Sequence, residues 1–336
     1  MSSDEDDEEH FNPDCHLTWE WAVIKLENET NLYIRDRIAA VEKTIESQLS
    51  ENSNRDIQNL YTLQGFLYLK LYKTEDGRPD LAETSKQCFL KALEKCSEEN
   101  TGYKSVIYGN LYLYSKTSNE KTSQKEYHKL CLEMNNDLSD QFKYELCEMK
   151  GYLASHLHLS EEGVTFKKEA LSYKETASVY FGLALELQRK AGSMIYSEND
   201  QLKIANYLEK AIKIDPNYFT AKLRLARAYQ TISLKSIKDK KSSYHNKVIA
   251  LINEVKDGVS HEPRMKGYLE ECALILSKSD LKLGTELYHK CEKSQKVLRG
   301  LGNNHFKTWK NNNETINIQN SIECFNELIN LSLIHI

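Results

Sequence analysis

Residues 207–216 read Tyr207-Leu208-Glu209-Lys210-Ala211-Ile212-Lys213-Ile214-Asp215-Pro216, and soon afterwards comes Ala221-Lys222-Leu223-Arg224-Leu225-Ala226-Arg227-Ala228-Tyr229. Leu208, Ala211 and Ile212 share one helical face, and Pro216 cannot continue a helix, so the first segment closes there. In the second segment Leu225, Ala226 and Tyr229 put an apolar, a small and an aromatic side chain toward one neighbour. The small residue permits two helices to pack closely, so the pair reads as a helical hairpin.

The pattern recurs. Helices of the same kind centre on Gly65 in Leu63-Gln64-Gly65-Phe66-Leu67-Tyr68, on Gly109 in Tyr108-Gly109-Asn110-Leu111-Tyr112, on Gly151 in Met149-Lys150-Gly151-Tyr152-Leu153, and near Ala184. Glycine inside a helix costs about 1 kcal/mol relative to alanine, so three at matching places point to close helix contact. This is the signature of tetratricopeptide-type repeats. The expected fold is all-α, with helix pairs stacked in a right-handed superhelix whose first helices line the concave side. The small-residue centres lie further apart than a standard repeat at most steps, so the array is irregular. Polar stretches at Thr74–Pro79, Thr117–Ser123, Gly192–Gln201, Leu234–Tyr244 and Asn303–Ile316 read as the connecting loops.

Composition agrees. Only 4 Pro and 13 Gly occur in 336 residues, and 40% of residues are hydrophobic, enough for a substantial helical core. No apolar run reaches membrane-spanning length, and the start carries six acids, Asp4 to Glu9, where a signal peptide carries cations. Eight dispersed cysteines without a C-x-x-C pair read as buried apolar groups in the reducing cytosol. The expectation is a cytoplasmic protein that does not enter membranes. The formal charge of −5 combines an acidic first 30 residues with a slightly basic remainder. Residues 1–12 are expected to be disordered, and residues 13–330 to form the array.

Cys15-His16-Leu17-Thr18-Trp19 resembles the C-H-F-T-W opening of the interferon-induced proteins with tetratricopeptide repeats. Tyr108 to Tyr112 is similar to that family's W/Y-G-N-x-A-W, and Cys147-Glu148-Met149-Lys150-Gly151-Tyr152-Leu153 resembles its C-E-x-G-W-A-L with one residue added. The resemblance runs from about residue 13 to residue 330. It implies a non-enzymatic, cofactor-free effector of innate antiviral immunity, holding the 5′ end of single-stranded RNA, often triphosphorylated or capped, in a concave basic channel enclosed by the superhelix. Some members bind one another or signalling proteins instead, so related repeat proteins, or this chain itself, are alternative partners.

An RNA 5′ end needs cations for phosphate and flat rings for stacking. Tyr152 and His156 stand where RNA-binding relatives carry Trp and Lys; Tyr can stack, whereas His is largely neutral at pH 7 unless phosphate raises its pKa. Alignment on Gly192 places Arg189 on the family's phosphate-pocket arginine, and alignment on Tyr180 selects Glu186. Arg189 is preferred because its repeat position points inward, as do Arg227 and Gln230 one unit later. Arg35 and Arg37 stand on the first long helix, where the family presents polar groups. The family's later Tyr/Arg cluster falls at Lys266–Ala273, which holds mostly Leu, Glu and Cys.

Other readings have weaker support. A chaperone-type clamp for acidic tails finds its Asn at Asn110 but meets Val106 where a Lys is required. No Walker, Rossmann, HExxH or G-x-S-x-G pattern points to an enzyme. His156 and His158 lack a third metal partner. The last six residues, Leu-Ser-Leu-Ile-His-Ile, equal the in-frame translation of a sequencing-library transposase adaptor, CTGTCTCTTATACACATC. Residues 331–336 are therefore expected to be non-native and the array to be incomplete at that end.

Overall fold

The computed structural model describes residues 30–333 apart from 51–56, 76, 138, 158, 192–196, 236–237 and 260–265. The acidic start, the Cys15–Trp19 motif, His158, Gly192 and residues 334–336 lie outside that set. Among the described residues there are fifteen helices and no strand. No described helix is long and apolar enough to cross a membrane. The helices form two compact units, divided between Glu175 and Thr176.

The first unit contains α1 (Asn31–Ser50), α2 (Ile57–Thr74), α3 (Pro79–Glu94), α4 (Thr101–Thr117), α5 (Lys121–Asn135), α6 (Asp140–His156) and α7 (Ser160–Tyr173). Short loops fold α2 on α3, α4 on α5 and α6 on α7 as antiparallel hairpins, while α1 packs on α2. Helix α1 buries Ile34, Ile38, Val41 and Ile45, an i, i+4, i+7, i+11 stripe. This stripe joins a core that runs through Leu60, Phe66 and Ile107 to Met149 and Leu153.

In the second unit are α8 (Ala177–Ala191), α9 (Glu198–Ile214), α10 (Phe219–Lys235), α11 (Lys238–Val259), α12 (Lys266–Ser279), α13 (Leu281–Tyr288), α14 (Gln295–Asn312) and α15 (Thr315–Leu333). Four hairpins, α8/α9, α10/α11, α12/α13 and α14/α15, stack in order. Local sequence sets their ends: Ser197, Asp280 and Ser294 each accept a backbone N–H of the first turn, at 3.1, 3.1 and 3.2 Å.

Gly65 and Gly151 sit at hairpin crossings. A Cβ on Gly65 would lie 2.7 Å from the Phe89 ring of α3, and one on Gly151 would lie 2.8 Å from Cγ of Lys167 in α7. The close approach also creates polar contacts: Ser85 Oγ donates to the Gly65 carbonyl at 2.7 Å and Lys167 Nζ to the Gly151 carbonyl at 2.6 Å. The arrangement repeats at α14/α15, where Ser321 Oγ donates to the Gly302 carbonyl at 2.9 Å.

Two expected loops are largely helical. Helix α14 continues to Asn312 and turns only at Asn313, in the left-handed region at φ 56°. Its weak helix formers are held by tertiary contacts: Asn304 is 2% exposed and donates to Ser277 Oγ at 2.7 Å and Thr285 Oγ1 at 3.1 Å. Likewise α11 starts at Lys238, inside the lysine run read as a loop. Among the described cysteines no disulfide forms, and burial pushes the thiols of Cys88, Cys147 and Cys272 up to about 12.

Gly65→Ala is expected to lose about 1–3 kcal/mol of stability despite alanine's better helix propensity, because the Phe89 ring is fully buried and must move. Urea unfolding measures this; a Gly65→Ala protein as stable as the parent would overturn the close-packing account.

Candidate functional site

In the first unit the ends of α4 and α6 meet through two carboxylates. Glu145, fully buried, accepts from the backbone N–H of Gly102 at 3.0 Å, from Asn100 Nδ2 at 2.8 Å and from Gln141 Nε2 at 2.6 Å. It thereby caps the amino end of α4 from another hairpin, where the helix dipole favours an anion. Glu148, one turn later, accepts from Asn59 Nδ2 at 3.2 Å and from Tyr103 OH at 3.0 Å, tying α2, α4 and α6 together. The Cys147-Glu148 pair of the sequence motif is therefore a structural joint.

Of the four sequence-nominated residues in this unit, Tyr152 and His156 come together on α6. Their ring centroids are 4.5 Å apart, tilted by 41°. Tyr152 is half-buried and packs against the core. Arg35 and Arg37 stand on α1 with partners of their own. Arg35 meets Glu75 at 2.6 Å, and the Arg37 guanidinium lies 5.9 Å from the Tyr33 ring centroid. An exposed pair of the Arg35 kind contributes about 1 kcal/mol or less and leaves the cation available to a ligand.

The second unit holds Arg189, Arg227 and Gln230, and the structure adds Arg224 to them. Arg224 and Arg227 stand three residues apart on one face of α10. Burial lowers the pKa of the Arg224 guanidinium, the charge of Arg227 lowers it further, Glu271 opposes them, and Arg189 on α8 lowers it again. Three arginines from two helices thus share one field, and guanidinium stays protonated under such stress. Two carboxylates offset them. Arg227 pairs with Glu271 of α12, and Arg189 reaches Glu186 at 2.7 Å. The two residues that competed in alignment, Arg189 and Glu186, are partners.

Gln230 is 7% exposed and donates from Nε2 to the Ile275 carbonyl at 2.8 Å and to Ser279 Oγ at 2.6 Å. It locks α10 to α12 and forms the floor between two clefts. One, of about 330 Å³, is lined by Arg227, Gln230, Thr231 and Lys278 among others. The second, of about 380 Å³, shares Gln230 and Lys278 and adds Lys241 and His245. Arg224, Lys278 and His245 were not nominated from sequence, and Lys241 belongs to a lysine run that reads there as a solvated loop ahead of a nucleic-acid patch. The i, i+3 spacing from Arg227 would have found Arg224, whereas the other three needed the packing of α11 and α12. Asn110, the residue a peptide clamp would need, is fully buried and donates to the Val106 carbonyl of its own helix at 2.9 Å.

Neither a scan against protein-family models nor a search of curated protein sequences gives a match for this chain. The family resemblance therefore rests on the quoted motifs.

Arg189 also has a structural role. Glu186 is fully buried, and its Oε2 has no hydrogen-bond partner. Removing one member of a buried ion pair costs roughly 3–5 kcal/mol, toward the lower end here because water reaches Arg189. Arg189→Ala should therefore lower the unfolding midpoint clearly, and Glu186→Gln in the same chain should restore most of it. If Arg189→Ala unfolds like the parent, the pair contributes nothing to the fold.

Proposed function

We propose that this chain is a non-enzymatic, cytosolic helical-repeat protein that binds single-stranded RNA, with the arginines of α8 and α10 holding its 5′ phosphates. The observation that carries this reading is the grouping of Arg189, Arg224 and Arg227. Bringing like charges together and partly desolvating one of them opposes folding, and an incoming phosphate offsets that opposition. Arginine is suited to the task because its planar fork meets phosphate with two parallel hydrogen bonds. In the first unit, taken by itself, Tyr152 and His156 form an aromatic pair of the kind on which bases stack. The tetratricopeptide type, a right-handed superhelix with a basic concave channel, and a role in innate antiviral defence complete the reading. They rest on the motif resemblance and on the stacked hairpins.

Phosphate must displace Glu271 from Arg227, so the carboxylate competes with the ligand. A filter-binding titration of 5′-triphosphate and 5′-hydroxyl single-stranded RNA over a range of salt tests this. The paired change Arg224→Gln, Arg227→Gln should weaken 5′-triphosphate RNA at least tenfold and make the salt slope shallower by about 1.4, near 0.7 per lost contact on a single strand. Glu271→Gln should tighten binding. Unchanged affinity and slope in the arginine variant would remove the assignment.

One observation favours a second reading, a scaffold for related repeat proteins or a second copy of this chain. Helix α15 exposes Ile322 and Ile329, an i, i+7 pair on one face, at 53% and 56%, apolar surface of the kind that interaction faces carry. Sedimentation of the intact protein, with and without Ile322→Glu, reads this out: a concentration-dependent dimer lost in the variant supports it, and a monomer at all concentrations counts against it.

A further inference from the structure

The two clefts adjoin at Gln230 and Lys278, which line both. The first opens beside Arg227. The second lies between the carboxyl end of α10, the first turns of α11 and the carboxyl end of α12, and brings Lys241, His245 and Lys278 to one space of about 380 Å³. Its remaining lining is Gln230, Leu234, Val248 and the three serines 233, 242 and 279, so among the described residues no carboxylate lines it. The floor is rigid, because Gln230 and Ser233 are 7% and 8% exposed and both are hydrogen-bonded, Ser233 Oγ to the Lys241 carbonyl at 3.2 Å. By contrast the cations at the rim, Lys241 and Lys278, are exposed, and among the described residues neither forms a salt bridge that would hold it elsewhere.

From Arg227 to Leu234 is seven residues of helix, about 10 Å along α10. Cations therefore continue from the arginine cluster over the Gln230 floor and out to the loop edge of the unit. A compact anion would be satisfied at either end, whereas a track shared by two clefts suits an extended chain of phosphates. Leu234, 67% exposed at the rim, offers apolar surface to a base.

We propose that a single strand of RNA held at the arginines of α8 and α10 continues over Gln230 into the cleft between α10, α11 and α12, where Lys278 and Lys241 contact its following phosphates. The inference rests on the RNA reading above and extends it: the 5′ end sits at the arginines, and the strand leaves across the loop edge. Recognition in the second cleft is through the backbone, so it is independent of base sequence.

The test uses the full chain and two 5′-phosphorylated oligouridylates, a dinucleotide and an octanucleotide, each labelled at its 3′ end and followed by fluorescence anisotropy. The paired change Lys241→Gln, Lys278→Gln is expected to weaken the octanucleotide roughly tenfold and to make its salt slope shallower by about 1.4, while leaving the dinucleotide unchanged. Arg227→Gln should weaken both. If Arg227→Gln weakens both and the lysine pair changes neither, the arginine site stands and the path across the loop edge is wrong. Equal weakening of both lengths by the lysine pair overturns the path as well, since the lysines would then act only through the general field. An octanucleotide that the parent chain does not bind overturns the path together with the reading beneath it. Both lysines are solvent-exposed, so the variant folds, and circular dichroism verifies it.

Discussion

A helical hairpin closes only as far as the side chain at its crossing allows, and the architecture of both units depends on that limit. At Gly65 and Gly151 the second helix comes so near that a methyl group would intrude on Phe89 or Lys167. Nearness exposes the glycine carbonyl to a donor from the partner helix, Ser85 in one hairpin and Lys167 in the other. Each such carbonyl already serves its own helix, and the donor from the partner helix adds to that bond; at Gly151 Ser155 Oγ donates as well, at 2.7 Å. Packing and hydrogen bonding thus fix the same crossing, and each hairpin presents its remaining apolar stripe to the next.

That geometry decides where charge can go. Core positions of the first helices are occupied by Leu, Ile and Tyr, and cations that appear on the other faces gather side by side as the hairpins stack. In the second unit this brings Arg189 of α8 into the field of Arg224 and Arg227 of α10. Glu186 and Glu271 temper the result, one buried and one half-buried. A cluster so balanced keeps the unit stable while unliganded and still leaves net positive charge, a compromise common in sites that must both fold and bind.

The helices were legible because small residues and apolar periodicity repeat, and both are local signals. The limits of α14 were not legible: Asn303 to Asn312 has the composition of a loop, and its helical state depends on Asn304 bonding to Ser277 and Thr285. The same holds for charge. Nothing local marks Glu145, Glu148 and Glu186 as interior residues, yet all three are buried, because their partners lie on other helices or one turn away. Arg189 and Arg227 could be nominated from repeat position, but Lys278 and Lys241 share a cleft only because α11 and α12 both pack on α10. Spacing along one helix was readable, and proximity between helices was not.

The cap that Glu145 places on α4 bears on how the first unit assembles. The backbone N–H of Gly102 finds its carboxylate 43 residues further along, on α6. During synthesis α4 leaves the ribosome with its amino end still served by water, and it receives that partner only after the next two helices have emerged. Repeat arrays with only nearest-neighbour faces can add hairpins one at a time, each nearly finished before the next arrives. Here the middle hairpin is finished by its successor, so the unit gains cooperativity in the direction of translation, and its last hairpin closes the middle one as well as itself.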